Sequence, residues 1–570
     1  MKSRELSPSR ILSSDDRLRK FRYSIFQKPW SFSGLSIFLR GEKIEMAAQT
    51  LERPSTSQPS QAEKVLDVAI IGTGFAGLCM GIRLKQSGID SFVLLEKGSG
   101  VGGTWRENHY PGAACDVQSH LYSFSFAPKS DWSRLFGPQK EILNYMNYCA
   151  DHFGIRSHIR TNVEVNGAFF DERTGLWEIT TKSGEKYKAK AVVSGTGGLS
   201  RPSLPKIDGI DKFKGPKFHS AQWDHSFDMN GKTVAVIGTG ASAIQIVPTI
   251  APIVGKLKLF QRTPPWILPK PDAGIGSTLR GIFKFLPPFR WLFRKLIYWS
   301  NEIGVIAFAI NPKIMKIVEK FGKSFIQKSI HDPKLQEALT PNYTIGCKRI
   351  LLSNEYYPAL NRENVELVTN GISEITATGI KTKDGKEHKV DAIVFATGFQ
   401  ASEAVAPFEI RGRKGQLLAD VWKDAAEAYL GTTVSGFPNL FLIVGPNTGL
   451  GHSSMILMIE SQVQYTLQGI RYLTKKNVKF LDVRKDVQDR YNGEIQKRLS
   501  KSVWQTGGCI SWYNTSTGRN TTLWPGFTFE FKARTFFLRP RDYEFVKTDG
   551  KAEKPGLGSR FSIALGATFG

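Results

Sequence analysis

The chain has 570 residues, which at ~150 residues per domain is enough for several hydrophobic cores and excludes a small binding module. Hydrophobic residues at 41%, aromatics at 11% and charged residues at 22%, with 54 Gly and 28 Pro, exclude a disordered, collagen-like or coiled-coil chain. Lys and Arg (77) outnumber Asp and Glu (51) for a formal charge of +26, which favours an anionic partner: a phosphate-rich cofactor, a membrane surface or nucleic acid.

Residues 1–45 are Ser-rich and basic, with ten Lys/Arg against five Asp/Glu, and lack the uninterrupted apolar core of a secretory signal. They read as a mobile extension, with Met46 an alternative start, and the Pro/Ser/Gln-rich stretch 50–63 reads as a linker. An apolar strand over 65–71 then enters the turn Gly72-Thr-Gly-Phe-Ala-Gly77, followed by a helix to about 86 and a strand over 91–96. Alternation predicts strands at 177–181, 186–190 and 191–195. The first grammar then returns: a strand at 233–237, the turn Gly238-Thr-Gly-Ala-Ser-Ala243, a helix to about 250 and a strand at 256–260. Residues 271–330 carry ten Lys/Arg against three Asp/Glu, interleaved with Phe283, Phe285, Phe289, Trp291, Phe293, Tyr298 and Trp299. Such a stripe reads first as packing plus a solvated face; its other readings are peripheral contact with an anionic membrane or a roof over a hydrophobic substrate channel. Buried strands at 391–398 and 440–445 and a helix over 454–473 complete the order.

This order predicts an α/β fold of two Rossmann-like dinucleotide-binding domains, the second inserted into the first. The expected division is an extension and linker at 1–62, a first domain at 63–215 and 391–545, a second at 216–390 with a helical insert at about 271–340, and a tail at 546–570. Cys79, Cys115, Cys149, Cys347 and Cys509 are far apart and contain no CxxC, which argues against a disulfide framework, a redox dithiol and a zinc site, and fits a reducing, cytoplasmic location. The longest apolar run, 303–310, falls far short of the ~18 residues of a membrane span. No zinc spacing, RNA-binding aromatic signature or basic zipper points to specific nucleic-acid binding.

A lone glycine turn is weak, but both copies here lie between a strand and a helix, where backbone N–H groups approach a pyrophosphate at the helix N-terminus. Each copy ends its second strand at the same 24-residue offset from its first glycine, with opposite charges. Glu96 can accept from both ribose hydroxyls and repels a 2′-phosphate, whereas Arg262 pairs with one. The first site therefore suits FAD or NAD and the second NADP.

Residues 102–116 read Gly-Gly-Thr-Trp-Arg-Glu-Asn-His-Tyr-Pro-Gly-Ala-Ala-Cys-Asp, and Phe213, Gly215, His219 and Trp223, followed by Asp224, match FxGxxxHxxxW. These resemble the two fingerprints of Baeyer-Villiger monooxygenases, class B flavoprotein monooxygenases, over roughly 65–540, with Ala396-Thr-Gly-Phe399 as further support. Related N- and S-oxygenating enzymes, the rival reading, usually carry Tyr at the position of Trp223. A flavin reductase or disulfide oxidoreductase is a second rival, disfavoured by the missing CxxC.

The resemblance implies FAD in the first domain, NADPH in the second, and a small-molecule ketone and O2 as reactants, in a monomer or homodimer. It places Gly72, Gly74, Gly77 and Glu96 at the FAD diphosphate and ribose, Thr104, Trp105, Asp116 and Tyr122 along the flavin, and Val163 at the adenine. Gly240, Ser242, Gln245, Arg262 and Thr263 would hold NADP, with Lys348 a second cation for its phosphate and Trp512 near the nicotinamide. His219 and Trp223 are expected to couple domain motion to catalysis. The implied reaction gives an ester or lactone through a flavin peroxide, which needs a fixed cation beside it. Gly346-Cys-Lys-Arg349 resembles the segment carrying that cation, so Arg349 is the expected catalytic residue and Asp116 its orienting partner. Ile350 follows where the best-known cyclic-ketone enzymes have Pro, so their substrates are not carried over.

Overall fold

The computed structural model describes residues 65–400, 407–476, 478–548 and 552–553. The expected extension and linker, the alternative start at Met46 and the tail beyond 548, apart from 552–553, lie outside the described residues.

The first sheet grows from β1 (Leu66–Ile71), whose last four residues are buried, as befits a strand covered on both faces. Helix α1 (Phe75–Gln86) carries the chain over to β2 (Phe92–Leu95), parallel to β1, and β3 (Ile159–Arg160) adds beyond it. Strands β4 (Val165–Asp171), β5 (Leu176–Thr181) and β6 (Lys186–Ser194) form an antiparallel run that returns β6 parallel to the other side of β1. The two strands predicted at 186–190 and 191–195 are this single β6. Ile71 stands level with Leu95 on one side and Ser194 on the other. The carboxyl end of β1 is thus a crevice where the connections part, the usual ligand position in an open α/β sheet.

A second, all-parallel sheet holds β7 (Lys217–His219), β8 (Thr233–Ile237), β9 (Lys256–Phe260), β10 (Val365–Val368) and β11 (Ala392–Phe395), in the order β10-β9-β8-β11-β7. Ile237, Phe260 and Phe395 align at its carboxyl edge. β11 corrects the expected boundary: the first domain was to resume at 391, but 392–395 pairs with β8 and β7 in the second sheet. A central parallel strand is apolar on both faces in either sheet, so its composition does not say which it joins. The first sheet is rejoined later, by Glu409–Arg411 beside β4 and Leu440–Leu442 beside β6.

Between the strands of the second sheet the chain makes α4 (Ser277–Phe285), α5 (Pro287–Val305), a π-helical turn at Ile306–Ile310, and α6 (Met315–Ser329), with α3 (Ala243–Ile250) directly after the second glycine turn. Pro287 and Pro288 open α5, where a missing N–H costs nothing. Helix α7 (Met455–Lys475) is capped by the Ser454 hydroxyl and packs on α1, and α8 (Thr528–Thr535) packs on α7. No helix among the described residues is long and apolar enough to cross a membrane.

Against the expectation of no disulfide framework, the structure holds one bond: Cys347 and Cys509 form a disulfide, while Cys79, Cys115 and Cys149 are free and buried. The partners are 162 residues apart, so no spacing rule for nearby cysteines could link them.

Candidate active site

Gly72 leaves β1 with φ +97°, and a Cβ there would stand 2.8 Å from the Gly195 carbonyl oxygen. Gly77 is needed for packing: its Cβ would lie 1.9 Å from the Gly72 carbonyl oxygen, so only glycine lets α1 sit on the turn. Gly74 is the N-cap of α1 and offers no side chain, leaving that helix start to an anion.

Glu96, at the end of β2, is buried with its carboxylate held on several sides. Oε2 accepts from the Thr73 backbone N–H (2.9 Å) and hydroxyl (2.7 Å), and Oε1 from Gly98 N–H (2.8 Å) and Arg106 Nη2 (3.0 Å). Burial pushes its pKa up, but these hydrogen bonds and the Arg106 charge together hold it below the ordinary glutamate value. Val163 N–H donates to the Glu96 carbonyl (2.9 Å), placing it behind the same corner. On the short α2 (Thr104–Glu107), Trp105 Nε1 donates to the Tyr122 hydroxyl (3.1 Å), which fixes both rings.

The second turn is built alike: Gly238 has φ +108°, and around Gly240 a Cβ would meet nothing within 4 Å, so the backbone is open on that side. Thr239 Oγ1 donates to the Thr263 carbonyl (3.2 Å), tying the turn to the residue after Arg262. Lys348 stands close enough to Arg262 that burial and that like charge hold its ammonium below the usual lysine value. Two cations kept together against their repulsion suit a dianionic phosphate. Gln245 turns its amide to the first domain, accepting from the Tyr110 hydroxyl (2.9 Å) and donating to the Ala114 carbonyl (2.9 Å). Burial pushes the Tyr110 phenol up to about 12.

Arg349 and Asp116 meet between the two turns. Arg349 Nε donates to Asp116 Oδ2 at 2.8 Å, and Nη2 lies 2.6 Å from the same oxygen. Asp116 raises the Arg349 pKa further above its ordinary value despite burial, so the guanidinium is charged at any working pH. The buried Tyr513 phenol, pushed up to about 12 by burial, faces this pair. Its neighbour Trp512 is half exposed in a loop tied to the Arg349 segment by the Cys347–Cys509 bond. His219 is buried, with Nδ1 accepting from Ala221 N–H (3.1 Å) and burial lowering its pKa, and Trp223 packs edge-on against Phe218.

A cleft of about 1400 Å³ is lined by Gly72, Gly74, Glu96, Thr104, Trp105, Asp116, Tyr122 and Val163 from the first domain, and by Gly240, Ser242, Gln245, Arg262, Thr263, Lys348, Arg349 and Trp512. Sequence reasoning missed Arg106, Tyr110 and Tyr513. The first two lie inside the 102–116 stretch, where motif positions drew attention away from them, and Tyr513 had only its neighbour Trp512 as a signal.

An uncapped helix start facing a carboxylate suits FAD, and a second turn facing two cations suits NADP, so the donor sets fit both groups. Together they define a flavin- and nicotinamide-dependent oxidoreductase. Residues 69–273 match the family described as pyridine nucleotide-disulphide oxidoreductase. The chain is 50% identical to a Baeyer-Villiger monooxygenase of Pseudomonas aeruginosa over 87% of its length and 94% of that protein's. It is 46% identical to one of Streptomyces coelicolor, over 86% and 95%. Among solved structures it resembles a steroid monooxygenase bound to NADP (29% identity, TM-score 0.77, covering 85% of this chain and 100% of that one). It also resembles the closed form of cyclohexanone monooxygenase (28%, TM-score 0.77, 85% and 100%). The chain belongs to the Baeyer-Villiger monooxygenases. It is a flavoprotein that uses FAD, NADPH and O2 to insert one oxygen atom beside a ketone carbonyl, giving an ester or lactone.

Proposed function

We propose that Arg349 is the catalytic cation of this reaction and Asp116 the group that positions it. The observation that carries this is the Arg349–Asp116 pair, held at 2.6–2.8 Å in the cleft that both glycine turns face. FAD reduced by NADPH supplies the activation of O2. Arg349 answers the negative charge that develops on the ketone oxygen under attack, with the donors of its fork that Asp116 leaves free. Asp116 fixes the rotamer and keeps the added positive charge from standing alone in a partly buried site.

Gly72, Gly74 and Glu96 are assigned to the FAD diphosphate and ribose, Thr104, Trp105 and Tyr122 to the ring, and Val163 to the adenine. Gly240, Ser242, Thr263 and the Arg262–Lys348 pair are assigned to NADP, Trp512 to the nicotinamide side, and Gln245 to joining the two halves. In the Arg349→Ala variant FAD binding and its reduction by NADPH should persist, while ester formation falls by about 10²-fold or more. Ester formation at the parental rate would remove Arg349 from this role.

A further inference from the structure

The helical insert presents a second surface that catalysis does not use. On α5 and the turn after it, Phe289, Leu292, Leu296, Trp299, Ile303 and Ile306 recur at alternating spacings of three and four, each 40–65% exposed. That spacing puts them on one helix face, a stripe about 25 Å long. The opposite face is anchored: Ile297 and Val305 are buried, and buried Glu302 accepts from the Thr528 N–H (2.8 Å) and hydroxyl (2.7 Å). Trp299 also meets Phe529 of α8 (ring centroids 6.0 Å), which extends the apolar surface to a second element.

The charge around this stripe has one sign. Residues 273–331 hold ten Lys/Arg and two acids: Arg294 is turned inward to the His120 carbonyl, Glu302 points inward to Thr528, and Glu319 is paired with Lys323 at 2.9 Å, which leaves the outward charge positive. The Lys284 ammonium lies over the Phe285 ring and the Lys295 ammonium over Trp291, both 5.4 Å from the centroid, so cations stand directly beside exposed aromatic surface. Exposed tryptophans flanked by lysines are the composition of a helix lying in a membrane interface. A second copy of the chain would set these cations against their own kind, and residues 1–45, themselves net basic, would do the same.

We propose that this face of the insert seats the enzyme on an anionic lipid bilayer, with α5 lying in the plane of the surface. The seat connects to chemistry: Phe308, on the same insert, stacks on Trp504 and packs against Gly346, three residues before Arg349. The face that meets the bilayer would therefore belong to the same insert that braces the catalytic segment.

The test is flotation of the full-length FAD-loaded enzyme with vesicles of phosphatidylglycerol and phosphatidylcholine in equal parts, and of phosphatidylcholine alone. Binding should favour the mixed vesicles about tenfold and weaken as salt rises. The combined variant Leu296→Ser, Trp299→Ser, Ile303→Ser should lose about tenfold of that binding, yet turn over a water-soluble ketone at the parental rate without lipid. Lys284→Gln with Lys295→Gln, which leaves the apolar face intact, should weaken the preference for anionic lipid, and an unchanged preference would count against the proposal. No binding by the parent, equal binding to both vesicles, or retained binding by the first variant would overturn the proposal. So would a lipid-free dimer that the first variant dissociates, which would assign the face to a second copy.

Discussion

Arg349 keeps its charge at any working pH because it is an arginine, with Asp116 raising its pKa further, and this predicts how a conservative replacement behaves. Lysine in its place starts from a reference value of about 10.4, which Asp116 would raise, but unlike arginine it still loses its proton at the alkaline end of an assay range. Arg349→Lys should therefore gain a falling alkaline limb in its rate profile, because the required cation is lost as pH rises through the lysine pKa. The parent should show no limb from this position; identical profiles would count against the assigned charge. Arg262 and Lys348 make a second residue-scale case. Arg262→Ala should raise the KM for NADPH about tenfold or more while leaving NADH nearly unaffected, and equal effects would undo the 2′-phosphate assignment. The opposed charges of Glu96 and Arg262 were legible because strand ends lie at a fixed offset from glycine turns. Arg106 and Tyr513 were not legible, since their contacts with Glu96 and the Arg349 pair arise only when the chain folds.

The βαβ units were readable because apolar runs, glycine turns and helix lengths are local properties of the chain. The sheet to which β11 belongs is not local, and neither is the Cys347–Cys509 pairing. In the chain-entropy treatment a cross-link across so long a loop removes about 5 kcal/mol of freedom from the unfolded state. Thiol labelling of the denatured protein without reductant should find the three free cysteines, and five after reduction. Five thiols without reductant would mean that the bond does not form. Gly77 offers a steric test of the first unit: Gly77→Ala places a methyl against backbone that cannot yield, and should cost about 3 kcal/mol and much of the bound flavin. Unchanged melting and flavin content would show that the turn is looser than its contacts imply.

Over the whole molecule many polar links join the two dinucleotide folds, and Gln245 supplies three of them, accepting from the Tyr110 hydroxyl and the Ala114 N–H and donating to the Ala114 carbonyl. Gln245→Ala should consume a larger share of NADPH without making ester, because the halves are held less firmly while oxygen is transferred. The inserted arrangement and the cofactor pair were legible in sequence because each dinucleotide fold repeats one grammar. The outer face of the insert was legible only as an ambiguity, since a stripe of aromatics at helical spacing looks alike whether it faces the core or water. The most direct measurement is the mass of the product formed with NADPH and isotopically labelled O2 from a panel of ketones, one sulfide and one amine. An ester or lactone carrying one labelled oxygen is the predicted result. Labelled sulfoxide or N-oxide with no ester from any ketone would contradict oxygen insertion beside a carbonyl.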